Sequence, residues 1–446
     1  MTSDLSTIFK AYDVRGVYPD ELNEDVARRV GAAFARFVES DRAVVGRDMR
    51  ESSPALANAF AEGVAAEGGT VVDVGEVSTD ALYFASGKLD LPGVMFTASH
   101  NPARYNGMKM CKAQAVPIGS DSGMSEIRDM AQTLDPPKTT PRTEENDILG
   151  DYAEHCRSFV DAGALRPLKV AVDAGNGMAG KTVPIVFEPL PFEVSPLYFE
   201  LDGKFPNHPA NPIEDANLVD LQKLVLDKGC DVGIAFDGDA DRMFLVDERA
   251  ELISGSLTTA MVAHTLLKKY PGEKVIYNLI CSWVVREVIE ENGGEPIRTR
   301  VGHSFIKQIM AKTGAIFGGE HSGHYYFRDN FRADSGMIAA LLVLEAMSAS
   351  AAPLSQILEP FRRYFDSGEI NTEVEDQEGA VRKLTEVFSD GKQDFTDGLT
   401  VEYEDWWFNC RASNTEPLLR LNLEARTKEL MEAKRDEVLR VIRGES

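Results

Sequence analysis

Basic residues are in short supply. Against 72 Asp and Glu stand 47 Lys and Arg, a formal net charge of −25. A nucleic-acid surface leaves a basic footprint, so the balance argues against that partner. It leaves room for an anionic small molecule, because a local basic cleft can exist on an acidic protein. Cysteine is scarce too. Cys111, Cys156, Cys230, Cys281 and Cys410 are scattered, odd in number and without a Cys-x-x-Cys pair. They read as free thiols in a reducing compartment rather than as a disulfide framework. Long apolar runs are missing. The N-terminus MTSDLSTIFKAYD has no signal-peptide core. The longest helical run, MIAALLVLEAM (337–347), carries Glu345 and is too short to span a bilayer. These absences predict a cytoplasmic protein with neither membrane nor nucleic acid as partner.

What is present is ordinary globular material. The 446 residues are 43% hydrophobic and 27% charged, enough for roughly two to four domains. Short β-rich runs such as RAVVG (42–46), VVDVGEV (71–77), LKVAVDAG (168–175) and KVIYNLI (274–280) alternate with helical stretches such as SPALANAFAEGVAAEG (53–68). That alternation predicts an α/β fold. DPPKTTPRTEEND (135–147) reads as a linker, LISGSLTTAMVAHTLLKKY (252–270) opens a new unit at a Ser/Gly turn, and another begins near 366. The expected domains are 1–147, 148–251, 252–365 and 366–446.

Four stretches carry chemistry. GVMFTASHNP (93–102) is an apolar run that ends in an exposed-looking Ser99 at a turn set by Asn101-Pro102. Alone, it suits a turn-former, a nucleophile or a phosphate carrier, although the Gly-x-Ser-x-Gly of a hydrolase elbow is missing. FDGDADR (236–242) alternates Asp237, Asp239 and Asp241. Carboxylates that crowded repel, and a hard cation such as Mg²⁺ resolves the repulsion. An EF-hand would need Gly where Arg242 stands and helices on both sides, and the flanks read as strands. GGEHSGH (318–324) groups Glu320, His321, Ser322 and His324, which suits sugar hydroxyls, while a zinc site would want a third ligand of the usual kind. RASNTEPLLR (411–420) places Arg411, Ser413, Asn414 and Thr415 together, a set suited to a phosphate dianion. A serine phosphate beside Mg²⁺ can pass its phosphoryl group to a sugar hydroxyl.

TASHNP, DGDADR, GEHSGH and RASNTEP, in this order, resemble the α-D-phosphohexomutase superfamily, nearest its phosphomannomutase/phosphoglucomutase branch. YDVRG, YNGMK (105–109), DGKFPNHPANP (202–212) and VGHSFIK (301–307) add to the match, which runs from residue 9 to residue 420. The resemblance implies three similar α/β domains and a smaller C-terminal TBP-like α+β domain around a central cleft. It implies that Ser99 is the phosphoserine, and that Asp237, Asp239, Asp241 and a phosphoserine oxygen hold Mg²⁺. It implies that Glu320 and Ser322, with His321 between them, face the sugar. Arg411, Ser413, Asn414 and Thr415, with Arg420 nearby, would hold the idle phosphate. Arg15, Lys109, His303 and Arg242 would surround the reacting one, with acid–base work shared between Lys109 and His303 in an open order.

The implied enzyme interconverts mannose 6-phosphate and mannose 1-phosphate through a bisphosphate, with glucose 1,6-bisphosphate as activator, as a monomer or homodimer. Phosphoglucomutase or a bifunctional enzyme is the alternative, and phosphoglucosamine mutase a more distant one, since that branch more often has Gln where His321 stands. One departure is Ile280, where many bifunctional relatives carry Lys. A phosphatase using Ser99, or a non-catalytic sugar-phosphate sensor, would keep some of these motifs but not the whole set.

Overall fold

The computed structural model describes residues 4–412 and 418–444. The first apolar runs form a mixed sheet from β1 (Val14–Val17), β2 (Arg42–Arg47), β3 (Thr70–Glu76), β4 (Gly93–Phe96), β5 (Tyr105–Lys112), β6 (Val116–Pro117) and β7 (Thr143–Glu145). Its order is β1-β5-β4-β2-β3-β7, with β6 on β5. The β4–β2–β3–β7 half is parallel, while β5 runs antiparallel to β4 and β1. The Pro-rich linker read at 135–147 therefore contains a strand, β7, recruited by the open edge of β3.

Helices α1 (Glu24–Val38), α2 (Ser53–Ala66), α3 (Thr79–Leu89) and α4 (Met124–Thr133) cover this sheet. The side chain of Asn23 caps α1 by accepting from the Val26 amide, with Glu24 and Asp25 in the first turn. α1 and α2 approach until their backbones touch. A Cβ on Gly31 would lie 2.2 Å from the Phe60 carbonyl oxygen, and one on Gly63 would lie 2.0 Å from that of Arg28.

Past α5 (Leu149–Arg157), a second sheet is ordered β12-β11-β10-β8-β9 from β8 (Lys169–Asp173), β9 (Glu193–Leu197), β10 (Val232–Phe236), β11 (Met243–Asp247) and β12 (Leu252–Ile253). α6 (Ala179–Phe187) and α7 (Val219–Lys228) belong to the same stretch. Every residue of β10 is buried, as expected for a central strand covered on both faces. β10 and β11 form a hairpin that pairs Phe236 with Met243, so the aspartate loop is flanked by strands and not by EF-hand helices.

The chain continues through α8 (Gly255–Lys269), β13 (Lys274–Asn278), α9 (Trp283–Glu291), β14 (Glu295–Thr299), α10 (His303–Thr313), β15 (Phe317–Gly319), β16 (Tyr325–Phe327), α11 (Gly336–Ser348) and α12 (Leu354–Leu358). β13 and β14 are parallel. α11 is the apolar run noted above, buried nearly throughout, and its Ser335 cap accepts from the Ile338 amide. The C-terminal part is an antiparallel sheet ordered β17-β21-β20-β19-β18, built from β17 (Phe365–Glu373), β18 (Lys392–Asp394), β19 (Leu399–Glu402), β20 (Trp406–Ala412) and β21 (Leu418–Ala425). α13 (Gln377–Val387) and α14 (Lys428–Arg443) pack on it through Leu384, Phe408, Leu421 and Val438.

Two compact units result. The first comprises Met1–Ser254, Lys307–Phe317 and Ser322–Ile357; the second comprises Gly255–Ile306, Gly318–His321 and Leu358–Ser446. The stretch read as a third domain thus contributes to both. All five cysteines are free and buried. No helix among the described residues is long and apolar enough to cross a membrane.

The α1–α2 contact tolerates no added methyl. Gly63→Ala forces the helices apart, and overpacking of this kind costs about 1–3 kcal/mol. Urea unfolding of the two proteins should show that loss as a lower midpoint with an unchanged slope.

Candidate active site

β4 ends at Phe96 and hands the chain to Thr97-Ala98-Ser99. The Ser99 amide donates to Thr97 Oγ1 (2.9 Å), the Asn101 amide donates to the Ala98 carbonyl (2.9 Å), and Ser99 itself sits at φ +49°. A left-handed serine is uncommon and needs outside support. Arg50 supplies it. Its Nη1 donates to the carbonyls of Pro102 (3.0 Å) and Tyr105 (2.9 Å), its Nη2 to those of Ser99 (2.9 Å) and Asn101 (2.7 Å), and its Nε to Asp48 (3.1 Å). One buried guanidinium thus donates to four loop carbonyls. Phe205, in DGKFPNHPANP, lies under the same guanidinium at 5.2 Å. Ser99 is only 5% exposed, so it does not protrude as its turn suggests.

The Ser99 hydroxyl instead donates to Asp237 Oδ2 at 2.7 Å. The aspartate loop can come that close because Gly238 lacks a side chain; a Cβ there would lie 2.4 Å from the Ser99 carbonyl oxygen. Asp237, Asp239 and Asp241 are all buried, with one oxygen from each lying within 4.8 Å of the others. Two carboxylates at such a distance repel by roughly 3 kcal/mol at the effective dielectric of a protein. Two cations oppose this. Lys109 Nζ sits 2.7 Å from Asp239 Oδ2 and 2.5 Å from Asp241 Oδ2, and Arg242 Nη2 lies 2.9 Å from Asp237 Oδ2. Two positive charges against three negative leave the loop anionic. Oδ1 of Asp239 and Oδ1 of Asp241 are buried with no hydrogen-bond partner. Buried hard oxygens with open lone pairs fit a divalent cation such as Mg²⁺.

The ionisation of these groups follows their surroundings. Burial pushes the Asp237 carboxyl up, with Asp239 and Asp241 adding to the rise and Arg242 opposing it. Burial also works against ionised Asp239, yet Lys109 outweighs it and holds that carboxyl below its usual range. Lys109 is buried too, but its two aspartates push it well above the ordinary lysine value, so it is a cation. Arg242 and burial hold the His100 imidazole well below its usual value, hence neutral.

Around this centre, Arg15 Nη1 donates to Asn101 Oδ1 (2.6 Å) and pairs with Asp13. His324 Nδ1 lies 2.9 Å from Asp334 Oδ2 and 3.9 Å from Asp241 Oδ1, while buried Lys307 pairs with Asp334 at 2.8 Å. Arg50, Asp334 and Lys307 were not picked out as site residues in the sequence, and His324 was grouped there only with the sugar-facing loop. His324 and Lys307 at least end recognisable motifs; Arg50 and Asp334 carry no local signal.

The second unit holds the other candidates. Glu320 is buried and accepts from Asn278 Nδ2 (3.2 Å) and the Gly302 amide (3.3 Å). His321 Nδ1 meets Ser256 Oγ at 3.1 Å. Ile280, Ser282, Asp366, Asn422 and Glu424 join His321 around a pocket of about 20 Å³, the room of one water. Arg411 and Arg420 are cross-strand partners on β20 and β21, bridged by Glu369 at 2.7 and 3.4 Å. Ser322 is half-buried and falls in the first unit. His303 opens α10, but its side chain, like Ser413, Asn414 and Thr415, lies outside the described residues.

A serine hydroxyl bonded to a loop that fits a hard cation, with Lys109 and Arg242 against it, suits an enzyme of phosphoryl transfer. The family models for phosphoglucomutase/phosphomannomutase match end to end: alpha/beta/alpha domain I over residues 6–138, domain II over 150–251, domain III over 254–364 and the C-terminal domain over 369–441. A protein of Xanthomonas campestris named "Phosphohexose mutases" is 43% identical over 98% of this chain and 99% of its own. A phosphomannomutase of Escherichia coli is 38% identical over 98% and 99%. A crystal structure of a phosphoglucomutase/phosphomannomutase family protein from Burkholderia thailandensis superposes with a TM-score of 0.90 at 33% identity, covering 100% of this chain and 98% of that one. The chain belongs to the phosphoglucomutase/phosphomannomutase family, the phosphohexomutases.

Removing Arg50 takes the counter-ion from buried Asp48 and a donor from four loop carbonyls. Breaking a buried pair on one side costs about 3–5 kcal/mol. Arg50→Met should lose that much in chemical denaturation, well beyond what Arg36→Met loses at the exposed pair with Glu67.

Proposed function

We propose that this enzyme interconverts mannose 6-phosphate and mannose 1-phosphate, with Ser99 as the phosphoryl carrier. The observation that carries the mechanism is the 2.7 Å contact between Ser99 Oγ and Asp237 inside the aspartate loop. The choice of mannose rests on relatives named phosphomannomutase at 37–39% identity over nearly their full length. The proposed domains are 1–147, 148–251, 252–365 and 366–446.

In this reading the phosphate on Ser99 leaves for a free hydroxyl of the bound hexose phosphate. The Ser99 oxygen–phosphorus bond breaks, the sugar oxygen–phosphorus bond forms, and the sugar hydroxyl gives up its proton. The resulting bisphosphate turns over in the site and returns its other phosphate to Ser99. Asp237, Asp239 and Asp241 would hold Mg²⁺ together with a phosphoserine oxygen, and its chemistry when bound is to neutralise the oxygens of the group in transfer. Arg15, Lys109 and Arg242 surround that group with positive charge. Lys109 lies against Asp239 and Asp241 and is one candidate for the acid–base work. The other candidates are His303 from its motif and His324, whose Nδ1 lies 2.9 Å from Asp334. Glu320, His321 and Ser322 face the sugar hydroxyls. Arg411, Ser413, Asn414, Thr415 and Arg420 hold the phosphate not in transfer, and glucose 1,6-bisphosphate charges Ser99 as activator.

The test is a coupled assay with Mg²⁺ and a trace of glucose 1,6-bisphosphate, run on mannose 1-phosphate, glucose 1-phosphate and glucosamine 1-phosphate. Mannose 1-phosphate should react at least as fast as the others, EDTA should stop the reaction, and Ser99→Ala should reduce turnover to background. Normal isomerisation by Ser99→Ala overturns the carrier role. Reaction of glucosamine 1-phosphate alone overturns the sugar assignment.

A further inference from the structure

The aspartate loop is gripped from two sides. On one side it docks on the N-terminus of α3. Thr79 Oγ1 donates to Asp239 Oδ2 (2.6 Å), and the Thr79 amide donates to the Asp239 carbonyl (3.0 Å). On the other side it rests against the first residue of α11. A Cβ on Gly336 would lie 3.0 Å from the Arg242 carbonyl and 3.3 Å from that of Ala240. One carboxylate ties the two grips together. Asp80 follows Thr79 directly, is 1% exposed, and accepts from Ser335 Oγ at 2.6 Å and Tyr152 Oη at 2.7 Å. The Ser78 hydroxyl donates to it as well, in place of capping α3. Ser335 is the cap of α11 and sits next to Gly336.

We propose that Asp80 is a positioning residue for the metal loop. Its carboxylate locks the start of α3 to the start of α11, and thereby sets the gap in which Asp239, Ala240 and Arg242 lie. The three hydroxyls come from stretches matched by three different family domains: Ser78 from 6–138, Tyr152 from 150–251 and Ser335 from 254–364. Asp80 itself touches neither Ser99 nor any of the three aspartates in a hydrogen bond. It acts through Thr79 on one flank and through Ser335 and Gly336 on the other. Buried hydroxyls aimed at one carboxylate have no solvent alternative, so their removal loosens both grips at once. Outer residues that orient metal ligands typically weigh 10–100-fold in metal affinity.

The inference rests on the reading of Asp237, Asp239 and Asp241 as a Mg²⁺ site. Mg²⁺ is titrated calorimetrically into the full-length protein, with thermal unfolding in EDTA as a control on folding. Asp80→Ala should bind Mg²⁺ about tenfold or more weakly, with the KM for mannose 1-phosphate unchanged. Asp80→Asn keeps an acceptor oxygen where Tyr152 and Ser335 converge, and should recover most of the affinity. If Asp80→Ala does not fold, Tyr152→Phe removes one donor and should weaken Mg²⁺ binding by a few fold. Unchanged affinity in folded Asp80→Ala, or in Tyr152→Phe where it is the readable variant, overturns the proposal. Failure of the unsubstituted protein to bind Mg²⁺ overturns the metal-site reading instead.

Discussion

Three carboxylates buried within reach of one another, and of a serine hydroxyl, are the constraint around which the first unit is organised. Apolar burial alone would drive such a cluster apart. The cluster persists because each aspartate has a counter-group, one of them shared: Arg242 on Asp237, Lys109 and Thr79 on Asp239, and the same Lys109 on Asp241. These partners come from β5, the head of α3 and the loop itself. The charge balance of one six-residue loop therefore dictates how several distant elements must meet.

Backbone proximity does the rest. The serine loop and the aspartate loop touch through Gly238, while the left-handed backbone at Ser99 is sustained by Arg50. In its hydrogen bonds that arginine does no chemistry on substrate; it replaces the water a tight loop would otherwise need. The same economy recurs at Asp80, where one carboxylate gathers hydroxyls from three stretches of chain. Charge buried for architecture and charge buried for catalysis lie side by side in this unit. What separates them is whether lone pairs are left open. Asp80 takes up three donors, whereas Asp239 and Asp241 each keep an unpartnered oxygen.

Much of this was legible in the linear sequence. The strand GVMF, the helix within SPALANAFAEGVAAEG and the apolar helix α11 lie where periodicity puts them, because each is decided by which face meets a core. The strand flanks of FDGDADR excluded an EF-hand for the same reason. Strand β7 was not legible inside a Pro- and charge-rich linker. It has no apolar pattern and exists only because β3 offers an unpaired edge. Arg50, Asp80 and Asp334 were equally silent. An arginine or aspartate in the chain reads as surface until its partners, 49 or more residues away for Arg50 and Ser99 and 255 for Asp80 and Ser335, are known.

By itself, then, the sequence determined the chemistry available: a serine at a turn, three alternating aspartates, a Glu-His-Ser loop and an arginine-led polar loop, on an α/β pattern. Local rules suffice for these, since spacing, turn residues and ligand type act over a few positions. Only the tertiary structure decided that Ser99 is buried and bonded to Asp237, that Lys109 is a cation between two carboxylates, and that Arg50 and Asp80 hold the loops in place. Burial, protonation and the satisfaction of buried polar groups depend on which distant atoms arrive beside them, and no local pattern carries that information.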